Sequence, residues 1–234
     1  MNIRVRFSKH GCLKFIGHLD VMRYFQKAMR RAEIDMCYSE GFSPHMIMSF
    51  ASPLGLGLES DGEYMDISVK QSPSSKEAVE RLNAVMAEGI KVLSWRELPE
   101  NSKNAMASVA GADYEVRFRE GYELEEGWKK KLEEFLALPE IRIMKETKKG
   151  EQEVDIRPWV YDYHIKDRTI FLKVSAGSVH NLKPELLLKA FGDWAGVEIP
   201  AFALLICRKE MYADEGSETE RKLVALEELG EEIG

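Results

Sequence analysis

The chain has 234 residues, of which 44% are hydrophobic and 31% charged, and a formal net charge of −7. That balance describes a globular protein long enough for two domains. It argues against a protein that coats nucleic acid in general, which needs a positive surface, and no apolar run reaches the roughly eighteen residues of a membrane-spanning helix.

Residues 1–7 alternate like a strand and lack the apolar core of a signal peptide, so the expected location is the cytoplasm. Cys12, Cys37 and Cys207 are far apart and form no CxxC pair. Neither a zinc ribbon nor a cysteine-held iron–sulfur cluster is expected, and the thiols read as reduced. Charge is unevenly spread. Residues 1–50 carry eight basic and four acidic residues and three of the five histidines, leaving −11 on the rest. A basic, His-bearing segment on an acidic body suggests a local anion site.

Residues 2–8 read as a strand with Ile3, Val5 and Phe7 on one face and Arg4, Arg6 and Ser8 on the other. A loop leads to a helix over 18–33. Val21, Met22, Phe25, Ala28, Met29 and Ala32 form its apolar stripe, and Asp20, Arg23, Lys27 and Arg30 lie opposite. A long loop over 34–46 contains a Gly-Phe-Ser-Pro-His turn. Strands are predicted over 46–51 and 63–70, a helix over 74–88 opened by Ser74/Ser75, and a strand over 90–98. This β-α-β-β-α-β order is the ferredoxin-like pattern.

Residues 99–111 read as a linker, after which the order begins again. Strand 112–118, helix 125–138, strands 141–145, 154–164 and 168–174, helix 184–194 and strand 202–210 make a second such unit with an extra strand. The expectation is therefore α+β: two tandem ferredoxin-like units over 1–98 and 112–212, with antiparallel sheets. From Asp214 acidic residues outnumber basic ones eight to two, and 213–234 reads as an exposed acidic tail with a short helix near 223–229.

Several residues could carry chemistry. His18 and Asp20 open the first helix, where free N–H groups favour anions; Asp20 also suits the helix dipole without any further role. Arg23, Lys27, Arg30 and Arg31 form a positive face that fits phosphate or is simply solvated. In the turn Gly41-Phe42-Ser43-Pro44-His45, Pro44 fixes the chain and Gly41 permits positive φ. Phe42 is there either a core plug or a base-stacking platform. His45 is expected to meet His18 across a sheet edge, which would suit metal binding, acid–base catalysis or phosphate recognition. Gly55-x-Gly57 lacks the strand and helix context of a dinucleotide fingerprint. Asp155 and Arg157, in Asp155-Ile156-Arg157-Pro158-Trp159, read as a structural ion pair.

The segments from Lys9 to Asp20, Arg30-Arg31-Ala32 and Tyr38-Ser39-Glu40-Gly41-Phe42-Ser43-Pro44-His45 resemble the start of the radical-SAM-linked domain family. The likeness continues through 53–60 and 63–64 and returns at 154–158 and 181–185. These bacterial domains of unknown function stand alone beside radical SAM genes or are fused to cobalamin-binding radical SAM proteins. One departure is Ile47, where relatives often carry a Lys that would offer an anion another contact. The resemblance implies association with radical SAM chemistry and a loose tie to RNA. The chain has no CxxxCxxC and cannot hold the radical SAM cluster itself. The layout is also similar to that of CRISPR repeat-processing endoribonucleases, but their glycine-rich loop near the C-terminus has no counterpart here, and fold does not fix function.

The expected function is a non-catalytic accessory domain that binds RNA or a phosphorylated substrate for a radical SAM partner. The expected site is His18, Asp20, Arg23, Arg30, Arg31 and Gly41–His45. No cofactor, metal, DNA or membrane partner is expected. The alternatives are an RNA-processing or metal-assisted hydrolase using His18, Asp20 and His45, and a protein-interaction scaffold.

Overall fold

The structure, a computed structural model, describes residues 1–147, 150–217 and 220–234. It divides into two compact units: Met1–Gly111 with Arg208–Gly234, and Ala112–Cys207.

The first unit opens with Asn2–Lys9 (β1), His18–Arg31 (α1), Met48–Phe50 (β2) and Glu59–Ser68 (β3). Ser75–Val85 (α2), Ile90–Glu97 (β4) and Ala105–Ser108 (α3) follow. β1 lies between β3 and β4 and is antiparallel to both, and β2 is antiparallel to β3. The expected alternation of β1 sends Ile3, Val5 and Phe7 into a core with Val21, Phe25 and Met29 of α1 and with Phe50, Met65 and Ile67. The rings of Phe7 and Phe25 meet edge to face at 4.7 Å, a favoured aromatic geometry. Ser74 caps α2 by accepting the Glu77 N–H, which satisfies an otherwise orphan donor. α1 stops two residues short of expectation, because Glu33 turns the chain at a φ of 55°.

Val109–Phe118 (β5) runs into the second unit at Ala112. There Trp128–Leu136 (α4), Arg142–Thr147 (β6), Gly150–Asp155 (β7), Val160–Lys166 (β8), Thr169–Ser175 (β9) and Pro184–Ala195 (α5) follow. Leu132, Phe135 and Leu136 of α4 are buried, and Phe135 packs on Phe191 of α5 at 5.7 Å. β6 and β7 form a two-stranded hairpin of their own. The single strand expected over 154–164 is broken by a 3-10 turn at Arg157–Trp159, since Pro158 has no N–H to give a ladder. Asp155 and Arg157 do not pair. The Asp155 carboxylate accepts the backbone N–H groups of Ile141 and Arg157 at 2.8 and 3.0 Å, and the Arg157 guanidinium donates to the Val160 carbonyl at 3.2 Å.

Leu204–Asp214 (β10) leaves the second unit after Cys207 and belongs to the first from Arg208. Leu223–Ala225 (β11) pairs with β10, and Glu231–Glu232 (β12) pairs with β4. In the first unit the strand order is β12-β4-β1-β3-β10, with β2 also on β3; in the second it is β10-β5-β9-β8. The fold is mixed α+β with mostly antiparallel strands.

The expected linker and acidic tail are both built into the first unit, residues 218 and 219 lying outside the described residues. Leu226 is fully buried, and Ala105 of the supposed linker is too. Arg4, 1% exposed, explains why. Its guanidinium grips Asp66 at 2.8 and 3.0 Å and donates to the carbonyls of Leu226 and Lys103. The Ala105 N–H completes the site by donating to Asp66 at 2.6 Å. Arg6 pairs with Glu227 and Glu210 at 2.6 and 2.8 Å. A buried charge without partners is costly, and these two segments supply part of the pairing for Arg4 and Arg6 on the second face of β1.

Candidate functional site at the two ends of the first helix

The strand register fixes which residues share an end of the first unit. Lys9 faces Ser60 across β1 and β3, whereas Asn2 faces Ser68. α1 starts at the Lys9 end: His18 packs edge to face on Phe50 at 5.1 Å, and it lines a small cavity with Lys9 and Glu63. α1 then runs back, so Arg30 lies twelve residues on, about 18 Å along the axis. The turn at Gly41–His45 sits at that second end, since Ile47 donates to Cys37 and Cys37 to Ser68.

His18 and His45 therefore do not share a site. His45 is five residues from Phe50 along a nearly extended chain, about 16 Å, and its own partner is Ser39. The ring Nδ1 shares a hydrogen bond with the Ser39 hydroxyl at 2.8 Å, and the His45 N–H donates to the same oxygen at 3.1 Å. These bonds pin the turn, with Gly41 at a φ of 105°. Phe42 is fully exposed and is not a core plug; Ser43 and Pro44 are exposed beside it. A hydrolase joining His18, Asp20 and His45 at one substrate atom has no geometry here, because acid–base groups must reach the same proton.

Asp20, Arg23, Lys27, Arg30 and Arg31 are all exposed along α1, as their spacing predicts. Asp20 and Arg23 pair at 3.3 Å, and Arg31 donates to the Val85 carbonyl at 3.0 Å. The stripe links the two ends of the helix.

Sequence reasoning missed the buried chemistry at the first end. Lys9 is 3% exposed, and among the described residues its ammonium has no hydrogen-bond or ion-pair partner. Loss of hydration lowers its pKa, with the Glu63 carboxylate opposing and the Arg208 guanidinium assisting. Glu63, also buried, is held by Arg208 through two hydrogen bonds of 2.8 and 2.6 Å. At the same end of β1, His10 lies 2.8 Å from Asp61 and 3.6 Å from Glu59. Asp61 is bonded to Lys209, and Glu59 to Lys14 at 3.3 Å. Burial acts to raise both carboxyls, but the bonds and charges of these lysines, helped by His10, outweigh it and hold them below the usual carboxylate range. The signal in the sequence was a break in alternation: Lys9 follows Ile3, Val5 and Phe7, and Glu63 precedes Met65 and Ile67, on faces otherwise apolar.

Among the described residues, no group of three or more His, Cys, Asp or Glu side chains converges to hold a metal, and no helix is long and apolar enough to cross a membrane. What the first unit offers chemically is cationic: at one end a buried lysine with no ion pair among the described residues, and at the other exposed guanidinium groups with a bare aromatic ring.

A model of a family described as an uncharacterized protein conserved in bacteria, DUF2344, matches residues 2–184. The chain belongs to this bacterial family. No curated protein matches it. The span shared with DUF2344 takes in Lys9, His18, the α1 stripe, the Gly41–His45 turn and Glu63, and ends before Arg208 and Lys209.

Proposed function

We propose that the protein is a non-catalytic accessory module of a radical SAM system in the cytoplasm, and that it binds single-stranded RNA or another phosphorylated substrate for its partner. The tandem ferredoxin-like reading of its two units belongs with this proposal. It is supported by the strand order β4-β1-β3-β2 in the first and by β10-β5-β9-β8 in the second, with the β6–β7 hairpin inserted. The radical SAM association rests on the resemblance of residues 9–20, 30–32 and 38–45.

One observation carries the binding reading: the solvent-exposed line Arg23, Lys27, Arg30 and Arg31 along α1, at whose far end the Gly41–His45 turn holds Phe42 bare. Guanidinium and ammonium groups track a phosphate backbone, and an exposed ring stacks bases with little sequence preference. Four phosphate contacts on a single strand give a slope of about −3 for log affinity against log salt. Replacing Arg30 and Arg31 by Ala lowers that slope by about 1.4. The measurement is a salt titration of binding to a single-stranded oligoribonucleotide, alone and with a radical SAM partner. Absence of salt-sensitive binding in both settings sinks the reading.

A further inference from the structure

The cavity at the start of α1 holds about 20 Å³, room for one water-sized group. Its walls are apolar, formed by Phe7, Val21, Pro53 and Leu54, and its polar lining is Lys9, His18 and Glu63. Glu63 is already neutralised by its bidentate bond to Arg208. Among the described residues Lys9, 3% exposed, makes no ion pair, and the Glu63 carboxylate acts on it only through space.

His18 is also the first residue of a fourteen-residue helix. Gly17 caps it without a side-chain bond. Of the first N–H groups, those of Asp20 and Val21 reach the Gly17 carbonyl, whereas those of His18 and Leu19 have no partner among the described residues. Such donors, with the positive end of the helix dipole, favour an anion. The first-turn carboxylate of Asp20 opposes an anion there, and its pairing with Arg23 at 3.3 Å offsets that charge.

We infer that this pocket is an oxyanion site that takes the terminal phosphate of a ligand. One phosphate oxygen enters the cavity against the Lys9 ammonium, and the others meet the His18 ring and the free N–H groups of His18 and Leu19. The inference rests on the reading of the protein as a phosphate binder but uses different residues: the α1 stripe holds the backbone, and this pocket holds an end. A doubly charged phosphate gives the Lys9 ammonium the ion-pair partner that it lacks among the described residues. A terminal monoester carries a charge of about −2 near neutral pH, against about −1 for a phosphodiester inside a chain, and so is the form preferred.

The full-length protein is titrated with inorganic phosphate while the backbone amide signals of His18 and Leu19 are followed by NMR. A single-stranded oligoribonucleotide carrying a 5′-phosphate is then compared with the same oligonucleotide ending in a hydroxyl. Saturable shifts at His18 and Leu19 are expected. The phosphorylated oligonucleotide should bind about ten-fold more tightly, as a charge-assisted contact provides. Lys9→Met should abolish both effects while its circular dichroism stays native, and His18→Gln should weaken them without touching the core lysine. Phosphate that leaves both amides unmoved, or moves them equally in Lys9→Met, overturns the pocket and assigns the cavity to a trapped water, even if RNA binds. Shifts with inorganic phosphate but no RNA binding uphold the pocket and sink the stripe.

Discussion

Arg208 and Glu63, 145 residues apart in sequence, meet in a nearly dry bidentate ion pair of 2.8 and 2.6 Å. The Arg208 guanidinium also donates to the Ser52 carbonyl at 2.9 Å. This pair joins β10 to β3 beside the cavity lined by Lys9. A buried pair is costly to break from one side, because the survivor is left charged and unsolvated. Glu63→Ala or Arg208→Ala should each lose about 3–5 kcal/mol in urea unfolding. Replacing both together by Met and Leu should cost clearly less than the two single losses combined. Additive single losses would show that the two side chains act independently.

Lys9 gives a pH signature of opposite sign to an ion-paired lysine. Its pKa is lowered in the folded state, chiefly by desolvation. Between the folded and unfolded pKa values the unfolded chain binds more protons, so stability rises with pH across that window. The gain is complete above the unfolded lysine value and is lost as pH falls through the folded one. Lys9→Met should be at least as stable as the parent at neutral pH and should lack this alkaline rise. Melting curves from pH 7 to 10.5 decide it; an unchanged slope in Lys9→Met rules out a desolvated ammonium.

Gly62 is required by the approach of β3 to β10. A Cβ there would lie 2.6 Å from the Lys209 carbonyl oxygen and 2.9 Å from the Glu210 Cα. Both obstacles are backbone, so neither can swing aside. Gly62→Ala should destabilise the first unit by about 1–3 kcal/mol, the range for overpacking. Thermal unfolding that matches the parent within error would mean the two strands are free to separate.

Leu226 tests whether the C-terminal segment is part of the first unit. It is fully buried, and its carbonyl accepts the Arg4 guanidinium. Leu226→Ala should cost about 2–5 kcal/mol, as for other buried leucines. A mutation in an exposed acidic tail would cost nothing measurable, so chemical denaturation separates the two cases directly.

Much of the local structure was legible in the residues. The apolar stripe of α1, the Ser74 cap and the core face of β1 follow from spacing alone, because helices and strands impose periods of 3.6 and 2 on any buried face. The basic stripe of α1 was equally legible, and it is exposed as read. The meeting of His18 with His45 was not. Which end of a helix a loop returns to depends on strand register, and here the register sends the Gly41–His45 turn to the end opposite His18. The acidic count near the C-terminus suggested a solvated tail, yet Glu227 lies against Arg6. Composition cannot show a charge its partner when the two are 221 residues apart.

The sequence by itself determined an α+β protein with a basic first helix, a rigid glycine–proline turn and membership in a bacterial family matched over residues 2–184. Those are properties of local spacing and of residue identity. Only the tertiary structure decided that Lys9 is buried without an ion-pair partner among the described residues, that Arg208 neutralises Glu63, and that the cations of α1 join two separate ends. Burial and pairing are long-range quantities: they arise when distant strands close over a side chain and remove its water.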